Sequence, residues 1–108
     1  MDYEFTHYGD IKFNLSYEDW ELKEKIISII STSNDYIITP DYIARKLLEI
    51  AFDENRENRV IGAESNTIYP QAYLTDQQLG KVSRIIWDLI IEGKIMYDFF
   101  TKEFKLLT

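Results

Sequence analysis

The fold is decided by residues 74–100, LTDQQLGKVSRIIWDLIIEGKIMYDFF. Thr75 is suited to cap a helix, and apolar residues recur behind it at helical spacing. Gly93 is well placed to end that helix. Beyond it apolar and polar residues alternate, and a turn near Thr101–Lys102 leads to a second alternating run ending at Leu107. The stretch therefore predicts a helix followed directly by a β-hairpin.

This helix is expected to have two different faces. Gln78 is expected to complete a capping box with Thr75 at its start. The apolar face should pack on the core and consists of Leu79, Val82, Ile86, Leu89 and Ile90. The polar face projects to the opposite side and consists of Gln77, Lys81, Arg84 and Asp88.

Two further helices are predicted upstream. Ser16 is the expected N-cap of the first, which ends in the poor helix formers at 31–34. A short β-prone stretch, Tyr36–Ile38, separates it from a second helix opened by Thr39-Pro40-Asp41. The polar run at 53–59 is expected to extend that second helix by a turn or two.

The two remaining segments flank this helical body. Residues 1–15 alternate around Gly9-Asp10, which predicts an N-terminal β-hairpin because glycine supplies the positive φ of a tight turn. Residues 59–73 lose periodicity and are expected to be a long loop inserted between the second and third helices. The domain proper is thus expected at 16–108, in an α+β fold.

Composition excludes several classes of site. The 108 residues contain no cysteine and one histidine, so thiol chemistry, a disulfide framework and a multi-histidine metal site cannot be built within one chain. No phosphate loop or nucleophile–base arrangement is evident, and no enzyme, metal or cofactor is predicted. Apolar runs are too short to span a membrane, and the acidic start is wrong for a leader peptide. We therefore expect a cytoplasmic protein.

Charge is distributed unevenly. Nineteen Asp and Glu against twelve Lys and Arg give a net charge of -7. Residues 1–58 contain 13 acidic and 6 basic residues, whereas residues 59–108 contain 6 of each. An acidic protein is repelled by phosphate backbones unless its basic groups are focused on one surface. The balance disfavours a simple duplex-DNA binder and leaves a local contact by the neutral half open.

The order helix, short strand, helix, helix, hairpin resembles the winged helix-turn-helix family. The segments that carry the resemblance are Tyr36–Pro40, Leu74–Gln78 and Ile91–Ile95. The resemblance implies that the third helix is a recognition helix and the hairpin a wing. The insertion at 59–73 departs from the family's short turn and would crowd a DNA groove.

Two interpretations of the third helix stay open. In a duplex reader the base and phosphate contacts would come from Gln77, Gln78, Lys81 and Arg84. The alternative is a solvated polar face, as on any amphipathic helix. Eight Tyr, six Phe and two Trp exceed the needs of one small core. Exposed aromatics anchor protein partners or stack on unpaired bases, and the predicted partner-binding residues are Trp87, Ile91, Tyr97 and Phe100.

The whole chain also resembles the small middle proteins of staphylococcal cassette chromosome replication operons. Sixteen Ile against four Ala indicate an A/T-rich genome, consistent with such a mobile genetic element. The resemblance implies a non-enzymatic accessory subunit that binds a DNA polymerase or another replication protein and assists primer initiation, with single-stranded DNA as a further ligand. No small-molecule substrate is evident. The residues expected to contact nucleic acid are Lys81, Arg84, Lys94, Lys102 and Lys105.

Two other functions remain as alternatives. One is a winged-helix transcriptional regulator, which would bind duplex DNA with a steep salt dependence. The other is an acidic phage-type inhibitor whose N-terminal half imitates DNA. That inhibitor would depend on Asp2, Glu4, Glu18, Asp19 and Glu21.

Overall fold

The computed structural model describes residues 10–33, 37–61 and 71–107. Within these ranges the chain forms an α+β fold of three helices and two small sheets. In chain order the elements are β1 (Asp10–Leu15), α1 (Asp19–Thr32), α2 (Pro40–Glu54), β2 (Glu57–Ile61), β3 (Gln71–Leu74), α3 (Asp76–Ile91), β4 (Ile95–Asp98) and β5 (Glu103–Leu106).

The helix boundaries follow from local chemistry. Thr39 Oγ1 accepts the backbone N–H of Tyr42 at 3.1 Å at the start of α2, and Thr75 Oγ1 accepts that of Gln78 at 3.1 Å at the start of α3. Gly93 follows α3 with a positive φ of 76°, as expected for a helix stop. The predicted start of α1 is wrong by two residues, because its N-cap is Glu18.

α2 ends at Glu54 and does not continue through the polar run at 53–59. Asn55 adopts the left-handed conformation, with φ 57° and ψ 42°, and its N–H bonds to carbonyls of the last turn. Arg56 N–H then donates to the carbonyl of Ala51 at 2.9 Å. The chain turns here because β2 pairs with β1, so the predicted extension of α2 is wrong.

The first sheet has the strand order β2-β1-β3, with β1 antiparallel to β2 and parallel to β3. β1 was expected as one strand of an N-terminal hairpin over residues 1–15. The strand is confirmed, but at Lys12 and Phe13 both of its edges are occupied by β2 and β3. Residues 1–9 lie outside the described residues.

The segment expected to be a long loop contributes two of these strands. β2 and β3 take up both ends of the predicted insertion at 59–73, and residues 62–70 lie outside the described part. The insertion is therefore sheet-forming at its ends, because pairing with β1 satisfies its backbone groups.

The helices enclose one core. The apolar residues at helical spacing on α1, Leu22, Ile26, Ile29 and Ile30, are all buried. On α3 the predicted positions Val82, Ile86 and Leu89 are buried and Ile90 is half-buried, whereas Leu79 is 38% exposed and Ile85 is buried in its place. The residues with the least exposure are Leu22, Ile26, Ile43, Leu47, Ile85, Leu89 and Ile95.

The second sheet is the antiparallel hairpin β4–β5, which follows α3 directly. Ile95 and Phe104 anchor it in the core. The N–H of Phe104 donates to the carbonyl of Ile38 at 2.8 Å, so the segment before α2 lies beside β5. The hairpin is thereby fixed against the helical body.

Candidate functional site

α3 exposes an apolar stripe on the side facing away from the core. Its buried side includes Val82, Ile85 and Leu89. At 100° per residue, Trp87 and Ile91 project to the opposite side. Trp87 is 64% exposed and Ile91 is 78% exposed. A partner protein that binds α3 from this side would therefore meet two large apolar side chains.

The turn of the β4–β5 hairpin is organised by Asp98. Its carboxylate accepts the N–H of Phe100 at 2.9 Å and that of Thr101 at 3.2 Å, and it pairs with Lys105 Nζ at 3.0 Å. The ammonium of Lys105, followed by these N–H bonds, lowers the pKa of Asp98. Lys102 completes the turn with a positive φ of 61°. The turn holds Phe100 in solvent, with 99% of its surface exposed.

A groove of about 620 Å³ runs between α3 and the hairpin. The Tyr97 ring meets the rings of Phe99 and Phe104 edge-on, each with centroids 5.1 Å apart. The side chains along the groove are predominantly apolar and include Ile86, Trp87, Ile90, Met96, Tyr97 and Phe99. We call this groove, with Ile91 and Phe100 at its margin, the docking face.

Of the four predicted partner-binding residues, Trp87 and Tyr97 line the groove itself. Ile91 and Phe100 do not line it, and they are exposed next in the chain to the groove residues Ile90 and Phe99. Phe99 is the residue that the pattern does not single out. Its alternation with Tyr97 suggests an inward strand position, but β4 ends at Asp98 and Phe99 enters the turn, where it is 80% exposed. The sequence signal that could have identified Phe99 as exposed is the adjacent pair Phe99-Phe100 directly before a turn.

The predicted nucleic-acid residues on α3 are paired with acidic side chains. Arg84 Nη2 lies 3.1 Å from Asp19 Oδ2 on α1, and Arg84 Nη1 lies 3.5 Å from Asp88 Oδ2. Lys81 Nζ lies 3.7 Å from Asp19 Oδ1 and donates to the carbonyl of Tyr17 at 3.2 Å. The hydrogen bond from Arg84 is the main cause of the lowered pKa of Asp19. Both cations are thus directed toward α1.

The other three predicted nucleic-acid residues lie at or in the hairpin. Lys105 pairs with Asp98, as described above. Lys94 and Lys102 are exposed and make no ion pair with any residue the structure describes. The five basic residues therefore form no single cluster: two bind α1, one binds its own hairpin, and two project into solvent.

A separate charge network secures the acidic half of the chain. Arg56 donates to both carboxylate oxygens of Glu21, at 3.1 and 3.3 Å, and its guanidinium lies 4.5 Å from the centroid of the Tyr17 ring. The Tyr17 hydroxyl donates to Glu54 at 2.6 Å, and Lys25 also pairs with Glu54. Burial, followed by the bond to Glu54, raises the pKa of Tyr17. This network binds α1 to the end of α2.

The network keeps its carboxylates ionised and pairs them with cations. The hydrogen bond from Arg56 lowers the pKa of Glu21, and the one from Tyr17 lowers that of Glu54. Of the residues that a DNA-mimicking inhibitor would use, Asp19 and Glu21 are both held in ion pairs. Asp2 and Glu4 lie outside the described residues.

The described ranges contain neither a metal-ligand cluster nor a membrane-spanning helix. Within residues 10–33, 37–61 and 71–107 no group of His, Asp or Glu side chains is arranged to hold a metal ion. No helix in those ranges is long and apolar enough to cross a membrane.

Comparison of this chain with family models, curated proteins and solved structures gives no match. The geometry of the docking face is therefore the basis for assigning a function.

Proposed function

We propose that the chain is a winged-helix protein that acts as a non-enzymatic accessory subunit and binds another protein through the docking face. Two features support the winged-helix interpretation. The hairpin directly follows α3, and the bond from Phe104 to Ile38 places the segment before α2 beside β5. The strands β2 and β3 are then an addition to that plan, paired with β1.

The observation that carries the function is the chemistry of the outward side of α3. In a duplex-reading winged helix this side presents polar and basic groups to base edges and phosphates. Here Trp87 and Ile91 lie on this side beside the exposed polar residues Gln77 and Arg84, and the hairpin adds Phe99 and Phe100. Exposed aromatic clusters of this kind are typical of protein interfaces, where Trp and Phe are enriched. We therefore favour protein docking over duplex reading.

The basic residues of α3 support the same choice. Asp19 forms ion pairs with both Lys81 and Arg84. A phosphate would have to displace Asp19 in order to bind either cation. Gln78, a predicted base reader, is buried at 6% exposure and cannot reach a groove. The transcriptional regulator is therefore the weaker alternative.

The partner we propose is a DNA polymerase of a mobile-element replication module, as the sequence resemblance implies. In this role the chain assists primer initiation and catalyses no reaction of its own. Lys94 and Lys102, which are exposed and unpaired within the described ranges, are the candidates for a contact with single-stranded DNA beside the docked polymerase. The groove binds the polymerase, and these lysines add a weaker, salt-dependent contact.

The test is binding of the polymerase encoded beside this chain, measured by isothermal titration calorimetry. Replacing Trp87 and Phe99 together by Ala should weaken binding at least about a hundredfold, because truncating a central aromatic anchor costs about 2 kcal/mol or more. The matched control is Trp20→Ala, since Trp20 on α1 is 61% exposed, close to the 64% of Trp87. This control should bind as tightly as the unchanged protein.

Nucleic-acid titrations distinguish the alternatives. Labelled single-stranded and duplex oligonucleotides are added to the protein at two salt concentrations, with and without the polymerase. Single-strand binding that tightens with the polymerase supports the accessory role. Tight duplex binding by the protein alone would identify a regulator instead, and no binding of polymerase or of either DNA form would favour an inhibitor.

A further inference from the structure

The outer edge of β4 is unpaired in the part of the chain that the structure describes. β4 pairs with β5 on one side, and no strand among the described residues pairs with its other side. Natural edge strands are commonly protected by charge, proline or a covering element. The one charged residue of β4, Asp98, is turned into its own hairpin turn by the bonds to Phe100 and Lys105. The edge is therefore available for pairing.

The backbone groups on this edge can be identified. Phe104 sits opposite Tyr97, and its N–H points away from β4 to Ile38. In an antiparallel ladder both residues of such a pair turn their N–H and C=O away from each other. Tyr97, and by alternation Ile95, therefore direct these groups to the open edge. Met96 instead bonds inward to β5, opposite Lys105.

This edge is complementary to itself. If two copies meet antiparallel about a two-fold axis at Met96, Ile95 of one copy is opposite Tyr97 of the other. All four outward N–H and C=O groups of each β4 are then paired. The two hairpins become one four-stranded sheet, and each Met96 faces Met96 of the second copy in a close, non-hydrogen-bonded position.

Area and charge favour a second copy. With aromatic side chains burying about 150–250 Å² each, the exposed parts of Trp87, Phe99 and Phe100 amount to on the order of 500 Å². Stable interfaces bury about 800 Å² on each partner, and the β4 edge with Met96 and Ile91 adds to the aromatic area. Residues 59–108, which contain both elements of this face, carry 6 acidic and 6 basic residues, so two copies meet without a large net repulsion there.

We propose that the free protein is a two-fold dimer joined through β4, and that the second copy covers the docking face until a partner displaces it. The dimer itself does not depend on the proposed function. Only the statement that the second copy competes with a partner protein rests on the proposed use of the docking face. The second copy thus regulates access to the site.

The test is sedimentation equilibrium of the full chain over a range of concentrations, with charges introduced at the axis. Met96 is 40% exposed, so a charged side chain at this position can remain in contact with water. Met96→Glu and Met96→Lys should each weaken the dimer at least about tenfold, because like charges would be juxtaposed across the axis. An equimolar mixture of the two variants should dimerise again, which also shows that both are folded. The control pair is Val60→Glu and Val60→Lys, at an exposed position on β2.

Each outcome decides the proposal. Dimerisation that the Met96 charges abolish and the mixture restores supports it, provided that the Val60 variants dimerise normally. A protein that stays monomeric at all concentrations overturns it, as does a dimer insensitive to the Met96 charges. No polymerase is present in the sedimentation experiment, so its results do not depend on the outcome of the polymerase-binding test. A monomer that binds polymerase through Trp87 would refute the dimer and keep the proposed function.

Discussion

Gln78 is a buried polar residue at the start of α3, with 6% exposure. Its Oε1 accepts the backbone N–H of Leu15 at 3.2 Å, which joins β1 to the helix. Its Nε2 is a buried nitrogen without a hydrogen-bond partner in the described structure. The sequence pattern assigned Gln78 to a capping box and to a base-reading set, because a local pattern does not reveal that β1 lies over this position.

Replacing Gln78 by Ala should lower the free energy of unfolding by about 1–3 kcal/mol. The variant leaves the N–H of Leu15 buried without an acceptor. The folded state then bears the desolvation penalty of that donor with no hydrogen bond to offset it. Urea unfolding measures the change. The control is Gln77→Ala, since Gln77 is the exposed neighbour on the same helix and should change stability by less than about 0.5 kcal/mol. Equal effects at the two positions would contradict the role given to the Leu15 bond.

At the scale of elements, the end of α2 depends on the left-handed backbone of Asn55. We expect Asn55→Gly to unfold close to the unchanged protein, because glycine adopts this conformation without steric cost. Asn55→Val should be less stable by about 1–2 kcal/mol, since a β-carbon with two branches crowds the following carbonyl oxygen. Asn55 is exposed, so the variants do not differ in buried area. Asp53→Val is the control for placing valine at an exposed position with helical backbone conformation. Urea midpoints that fail to separate the Gly and Val variants would exclude this account.

The helix boundaries and the core positions of α1 could be predicted from the sequence, whereas the first sheet could not. The caps at Thr39 and Thr75, the stop at Gly93 and the apolar positions of α1 are local signals, and the structure confirms them. The first sheet is not local, because β1 pairs in parallel with a strand some sixty residues away. Pairing across that distance leaves no periodic trace in a short four-residue strand such as β3, and the segment therefore looked like a loop.

The aromatic content predicted exposed side chains but not the groove that they form. Trp87 and Tyr97, chosen from the sequence as partner-binding residues, line that groove, and Phe99 was not chosen. The ion-pair partners of the basic residues could not be predicted from the sequence. Lys81 and Arg84 have the right residue types and spacing for phosphate contacts, but their pairing with Asp19 depends on the crossing of α1 and α3. Side-chain partners across two helices cannot be derived from either helix alone.

At the scale of the whole molecule, the paired carboxylates predict a loss of stability in acid. Arg56, Tyr17 and Lys105 lower the pKa values of Glu21, Glu54 and Asp98 below the ordinary 4.5 for Glu and 3.8 for Asp. A carboxyl group with a lowered folded-state pKa stabilises fully above its unfolded value, and this contribution is lost as the pH falls through the folded value.

The free energy of unfolding should therefore begin to fall as the pH approaches the ordinary carboxyl pKa values and continue to fall as the pH passes through the lowered folded-state values. Urea unfolding at several pH values measures this dependence. In Glu21→Gln the fall should be shallower, because one of the titrating carboxyl groups has been removed and its bond to Arg56 weakened. A Glu21→Gln profile parallel to that of the unchanged protein would show that the network does not contribute to acid unfolding.

The internal pairing of cations also predicts how the molecule can be made to bind DNA. Asp19→Asn keeps the shape of the side chain but removes the charge that holds Lys81 and Arg84 against α1. We expect this variant to gain weak, non-specific affinity for duplex DNA at low salt, with a salt dependence that reflects about two released counterions. Fluorescence anisotropy of a labelled duplex at two salt concentrations measures both. Asp53→Asn makes the same change in net charge at an exposed position on α2 that forms no ion pair within the described residues, and should gain much less. If the two variants gain equally, the total charge of -7 and not the position of Asp19 is what keeps this acidic chain from DNA.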